Sequence, residues 1–168
     1  MDIKVFRMAP YDLFIKIGTY GLSALFFLGI PGCMMMQEEE FREVGWVTLV
    51  IGGLWLLVYL FVPLKYVISS KQLVIKRLAC SIALPYEKIA SVEMADNVKP
   101  EVKVFANAGL FCYAGLVLID NEIVRIYATN LKRMVRVSTT DGKTWYLSPA
   151  DREKFVAAVK EHLGEKEK

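Results

Sequence analysis

The sequence is short of the groups that do covalent or metal chemistry. It has one histidine, His162, and three cysteines, Cys33, Cys80 and Cys112. No C-x-x-C pair occurs, which removes the zinc-ribbon and dithiol readings, and an odd, unpaired set is no disulfide framework. Without a second histidine or a G-x-S-x-G turn, no serine or threonine has a base to activate it. Gly109 and Gly115 have no Lys-Ser/Thr pair behind them, so a phosphate-cradling loop is missing as well. Asp120 and Glu122 fall at a hairpin tip, where solvation is expected rather than acid–base work, and His162 beside Glu161 reads as a solvated helix residue. No catalytic, cofactor-binding or metal-ligating residue is assigned, no cofactor is implied, and the chain is not read as an enzyme. Nor is it read as a nucleic-acid binder, because its basic residues are not interleaved with aromatics in one stretch.

Charge is missing in two places. Ile17–Met36 and Val44–Leu64 are uncharged runs of 20 and 21 residues, and about 20 apolar residues is the length of a bilayer-spanning helix. They account for an apolar content of 55% and a mean hydropathy of +0.36. The reading is a transmembrane hairpin with helices at about 17–36 and 44–64. A secretory signal has a shorter apolar core, so the first run is expected to be retained. Trp46, Trp55, Tyr59 and Tyr66 are candidate interfacial anchors. The connector Gln37–Glu43 has a net charge of −3, whereas residues 65–168 carry +5. Lys16 and Lys65, Lys71, Lys76 and Arg77 flank the runs, so both termini are expected on the cytoplasmic side of a bacterial inner membrane. The runs hold no Asp, Glu, Lys or Arg, which argues against a transporter or channel acting alone.

After Leu64 short β-type runs alternate with turn residues. Tyr66–Ser69 and Leu73–Leu78 pair around Ser70-Lys71, followed by Ile82–Leu84, Ile89–Met94 and the weaker Val102–Phe105. Leu110–Ile119 and Ile123–Thr129 flank Asp120-Asn121-Glu122, and Met134–Thr139 and Thr144–Leu147 flank Asp141-Gly142, a strong hairpin signal. Val135, Val137 and Thr139 alternate with Arg136 and Ser138 as in a half-buried strand. A helix over about 149–163 follows, with Ser148 expected as its N-cap, Pro149 at its first position and Asp151 three after the cap. Its apolar stripe is Phe155, Val156, Val159 and Leu163, ahead of a solvated tail, residues 165–168. The division is an N-terminal segment with the helical hairpin, 1–65, and a β-rich domain with its helix, 66–168. An antiparallel barrel or sandwich plugged by that helix is the economical arrangement.

The segments Tyr66–Ile75 and Ile82–Val92 resemble the opening of bacterial pleckstrin-homology-like domains carried behind a pair of membrane helices. Gly109–Gly115, Val124–Thr129, Asp141-Gly142 and Tyr146–Asp151 with Phe155 are similar to the latter half of that family. The resemblance implies an α+β membrane protein with a pleckstrin-homology-like barrel, non-catalytic, serving interaction, scaffolding or regulation, with a protein partner of unknown identity beside the bilayer itself. Relatives that bind phosphoinositides use closely spaced basic residues on the first strand pair; here Lys71, Lys76 and Arg77 come nearest, without a Lys-x-Arg triplet. The alternative is an anionic-lipid sensor, with Lys65, Lys71, Lys76, Arg77, Lys132, Arg133 and Arg136 as candidate contacts. A further alternative is an accessory subunit of a membrane enzyme or transporter.

Overall fold

The structure, a computed structural model, describes residues 3–34 and 39–164, apart from the side chains of 28–34, 39–42, 44, 102, 103, 105, 108 and 109. In chain order it contains β1 (Lys4–Arg7), α1 (Leu13–Met34), α2 (Glu39–Leu60), β2 (Pro63–Ile68), β3 (Gln72–Arg77), β4 (Ile82–Pro85), β5 (Ile89–Asp96) and β6 (Val102–Leu110). Then come β7 (Cys112–Ile119), β8 (Glu122–Ala128), β9 (Arg133–Thr139), β10 (Thr144–Leu147) and α3 (Arg152–Gly164).

The strands form a four-stranded sheet, β1-β2-β3-β4, and a six-stranded sheet, β5-β9-β10-β8-β7-β6. Local chemistry places several of the turns. Asp120 and Asn121 both take positive φ, as a two-residue hairpin turn of the I′ kind requires, and set Ile119 opposite Glu122. Gly142 supplies a positive φ at the β9–β10 turn. One pairing departs from the expected antiparallel order: β10 runs parallel to β8 while antiparallel to β9. A short strand reaching back across the sheet is not visible in local sequence.

The main core lies between the two sheets and under α3. It joins Tyr66, Ile68, Leu73 and Ile75 to Val92, Val135, Val137 and Leu147, and to Phe155, Val156 and Val159 of the helix. A second cluster covers the other face of the larger sheet, where Val117, Val124, Ile126 and Met134 pack with Ile15 of α1. Met134 at the start of β9 is buried in this cluster, while Arg136 and Ser138 farther along the same face stay part-exposed opposite buried Val135, Val137 and Thr139, as the alternation predicts. The cap of α3 also differs from expectation. Asp151 is the cap, its Oδ1 accepting the Lys154 N–H at 3.2 Å, because Ser148 is committed elsewhere: its Oγ accepts the buried Thr129 N–H at 2.7 Å and its own N–H reaches the Tyr66 hydroxyl at 2.9 Å.

The N-terminal residues belong to the same body. β1 pairs with β2, Phe6 meets the Phe155 ring edge-on at 5.3 Å, and the Ala9 N–H donates to Ser148 O at 2.7 Å. Asp12 then starts α1. Its Oδ1 accepts the Ile15 N–H at 3.0 Å, and its Oδ2 accepts the Tyr113 hydroxyl at 2.9 Å, which ties the helix start to β7.

Both apolar runs form helices, shifted from the expected spans. α1 begins at Leu13 and takes in Lys16, and its first turns dock on the sheet: Ile15 is fully buried and Thr19 Oγ1 accepts the Phe111 N–H at 2.8 Å. α2 begins at Glu39, drawing Glu40, Arg42 and Glu43 of the acidic connector into helix, and ends at Leu60, leaving Val62, Pro63 and Leu64 to the turn and β2. Among the described residues no helix is long and apolar enough to cross a membrane. The expected transmembrane hairpin is corrected accordingly, and with it the multi-pass placement in a bacterial inner membrane with cytoplasmic termini; the fold is α+β, a sheet-rich domain with three α-helices among the described residues. Residues 35–36 of the first expected span, residues 37–38 of the connector and the tail 165–168 lie outside the described residues.

The two helices pack through a narrow seam. Gly52 makes room for Phe26, whose ring a methyl at Gly52 would overlap, and Phe26 stacks on Trp55 at 6.3 Å. Phe111, at the β6–β7 turn with φ 63°, inserts between sheet and helices, 4.7 Å from the Trp55 ring and 5.1 Å from Tyr59. Outside the seam, Leu13, Phe14, Ile17, Leu25 and Phe27 of α1 and Trp46, Val47, Val50, Leu54 and Leu56 of α2 are 58–73% exposed.

Candidate binding cleft

A cleft of about 760 Å³ opens where the end of α2 and the end of β3 face β6, β7 and β8. Two backbone bonds bring its first wall together: Phe61 N–H closes on Val58 O at 3.1 Å after the last helical turn, and Ala79 N–H after β3 donates to Leu60 O at 3.0 Å. Phe61 and Arg77 therefore come side by side. The second wall follows from strand alternation. Arg125 and Tyr127 share one face of β8, and Trp145 on β10 is the register partner of Arg125. Ala114 and Leu116 continue that face onto β7, with Asn107 opposite Ala114 on β6.

These residues make one cation–aromatic ladder. The Arg77 guanidinium carbon lies 5.7 Å from the ring centroids of both Phe61 and Tyr127. Tyr127 stacks on Trp145 at 5.8 Å with 24° between planes, and Arg125 lies 5.1 Å over the Trp145 ring. Arg77 Nε donates to Cys80 O at 2.6 Å, which fixes its plane. Among the described residues neither Arg77 nor Arg125 takes part in an ion pair. Cys112 lines the same cleft, and burial pushes its thiol from 9.0 up to about 12, against the opposing pull of the Asn107 amide and the Arg77 charge. A thiol so raised stays protonated and is a poor nucleophile at neutral pH.

The basic residues singled out in the sequence are distributed over the molecule. Lys65 and Lys76 are register partners and exposed, and Arg7 joins them from β1, so three basic side chains line one row across β1, β2 and β3. Lys71 sits at the β2–β3 turn, away from that row, and Arg77 turns into the cleft. Lys132 and Arg133 are exposed at the start of β9, where Arg133 pairs in register with Asp96. Arg136 faces Glu122, 3.8 Å away. His162 stacks on Tyr86 at 5.2 Å instead of standing free in solvent. Arg125, Tyr127, Trp145 and Phe61 were missed as site residues. The Arg-x-Tyr alternation in Val124–Thr129 was the available signal; the contribution of Trp145 and Phe61 depends on pairing between distant segments.

The two sheets pack around a shared core, and the C-terminal helix lies across β5 and β9. Residues 64–163 match the family model of the bacterial PH domain, and the chain belongs to that family. No curated protein and no solved structure matches it. The match begins at β2, so the two preceding helices lie outside it, and the membrane anchoring expected with the family is unsupported.

Proposed function

We propose that the chain is a non-catalytic interaction module in which the PH-like barrel is a rigid body and the paired helices α1 and α2 present an apolar surface to a partner protein. The observation that carries this is the run of large side chains on both helices, each 58–73% exposed, from Leu13 to Phe27 and from Trp46 to Leu56. Single exposed apolar residues are ordinary, whereas an apolar surface continuous over two helices marks an interaction site. The tie from Thr19 to Phe111 and the packing of Trp55 on Phe111 couple this surface to the barrel, so a partner held there is held at a fixed angle to the sheets. The test is isolation of the full chain from its own cells with and without Val50→Ser, Leu54→Ser and Leu57→Ser, three exposed positions. A partner recovered in fixed ratio with the parent and with Lys132→Ala, and lost with the triple variant, supports the reading. The same partner retained by the triple variant, or none in fixed ratio with the parent, contradicts it.

The row Arg7, Lys65 and Lys76 favours a second reading, contact with an anionic lipid surface. Each basic residue near such a surface contributes about 1 kcal/mol. Sedimentation with vesicles that rises with anionic lipid, and falls when the three are replaced by glutamine, supports it; sedimentation indifferent to lipid charge removes it.

A further inference from the structure

The cleft carries an inference separate from the partner surface. Its walls are apolar at Val58, Phe61 and Leu116, and its floor is small at Ala106, Ala114 and Gly115. Gly115 lines the cleft through its backbone, with φ 136°, a conformation in which a side chain is strained. Into this space reach two arginines that lie over aromatic rings: Arg77 over Phe61 and Tyr127, Arg125 over Trp145. An arginine stacked in this way keeps its charge while losing part of its hydration. The Arg77 Nε–H is taken by Cys80 O; for the other in-plane N–H groups of the two arginines no carboxylate among the described residues is a partner. The guanidinium fork matches the oxygens of a carboxylate or a phosphate. The volume, about 760 Å³, falls in the range of roughly 300–1,000 Å³ usual for small-molecule sites.

We propose that this cleft binds a single-chain organic anion, its carboxylate or phosphate monoester head on Arg77 and Arg125 and its apolar tail along Val58, Phe61 and Leu116. The two arginines set the preference for a charged head, the ring ladder holds them in place, and Asn107 and the buried Cys112 close the inner end. Neutral amphiphiles of the same length fill the apolar part and leave both guanidinium groups unmatched.

The test titrates the full chain with the fluorescent fatty acid cis-parinarate and displaces it with oleate, with lysophosphatidate carrying an oleoyl chain, and with oleyl alcohol. At least one anion is expected to compete about tenfold or more better than the alcohol, the discrimination of a charge-assisted bond; which anion does so assigns a carboxylate or a phosphate head. Arg77→Gln with Arg125→Gln reduces the anion to the level of the alcohol, and Leu116→Trp, which fills the cleft from an outward-facing position, removes competition altogether. Far-UV circular dichroism checks the fold of each variant, and the comparison of anion with alcohol on the unaltered chain stands if a variant does not fold. Equal competition by alcohol and anions, failure of both anions, or anion binding unchanged in folded variants, as adsorption on the exposed helices would give, overturns the proposal.

Discussion

Removing one oxygen atom from the core tests the coupling between the two sheets. Tyr66 is fully buried on β2; its hydroxyl donates to Tyr127 O on β8 at 2.7 Å and accepts the buried Ser148 N–H at 2.9 Å. Tyr66→Phe keeps the ring, and with it the edge contact to Phe155 at 5.6 Å, but leaves the Ser148 N–H without a partner. A buried unsatisfied donor costs about 1–3 kcal/mol and an ordinary net hydrogen bond about 1 kcal/mol, so the expected loss is about 2–4 kcal/mol. Tyr86→Phe is the internal control. That hydroxyl donates a single bond to Ser69 O at 3.0 Å, and its loss leaves only a carbonyl short of one donor, an expected cost of about 1 kcal/mol. Urea unfolding followed by tryptophan fluorescence gives both values, with unchanged slopes showing that only stability moved. A Tyr66→Phe loss no larger than that of Tyr86→Phe would refute the reasoning that this hydroxyl bridges the sheets.

Other consequences follow from particular contacts. Gly52→Ala puts a methyl into the Phe26 ring and is expected to cost about 1–3 kcal/mol, as overpacking does, read as a lower urea midpoint. Phe111→Ala removes the ring wedged beside Trp55 and Tyr59 and is expected to cost about 3–5 kcal/mol, with a red shift of tryptophan emission as Trp55 is wetted. Burial raises Tyr86 from 10.0 to about 12 and Cys112 from 9.0 to about 12. The native state then keeps protons that the unfolded chain has released, so the stability from these groups is whole below pH 9.0 and lost as the pH climbs toward about 12. Cys112→Ala with Tyr86→Phe should flatten that alkaline fall in urea titrations; an unchanged slope would contradict the assignment.

Much of the β domain was legible because its signals are local. Alternation along β9, the Asp141-Gly142 turn and the Phe155, Val156 and Val159 stripe each declare an element within a few residues. β1 was not legible, since four residues lack a periodicity of their own and become a strand only through pairing with β2. The parallel β8–β10 register and the diversion of Ser148 from capping to the Tyr66 and Thr129 bonds are tertiary in origin. The apolar runs did foretell helices. Hydropathy alone could not show that Ile15 and Thr19 are taken up by the sheet, or that α2 would take in charged residues of the connector and give way to β2 soon after Leu60. The cleft was the least visible part, because Phe61, Arg77, Tyr127 and Trp145 come from separate elements and meet only in the folded domain.

The central claim, that the apolar face of the helical pair is covered by a partner protein, is tested most directly by photocrosslinking in intact cells. A photoreactive residue at Leu54, which is 58% exposed, is compared with one at the exposed Lys132. A discrete adduct to one protein from position 54, absent from position 132, is the predicted result. No protein adduct from position 54, or the same adducts from both positions, would contradict the account.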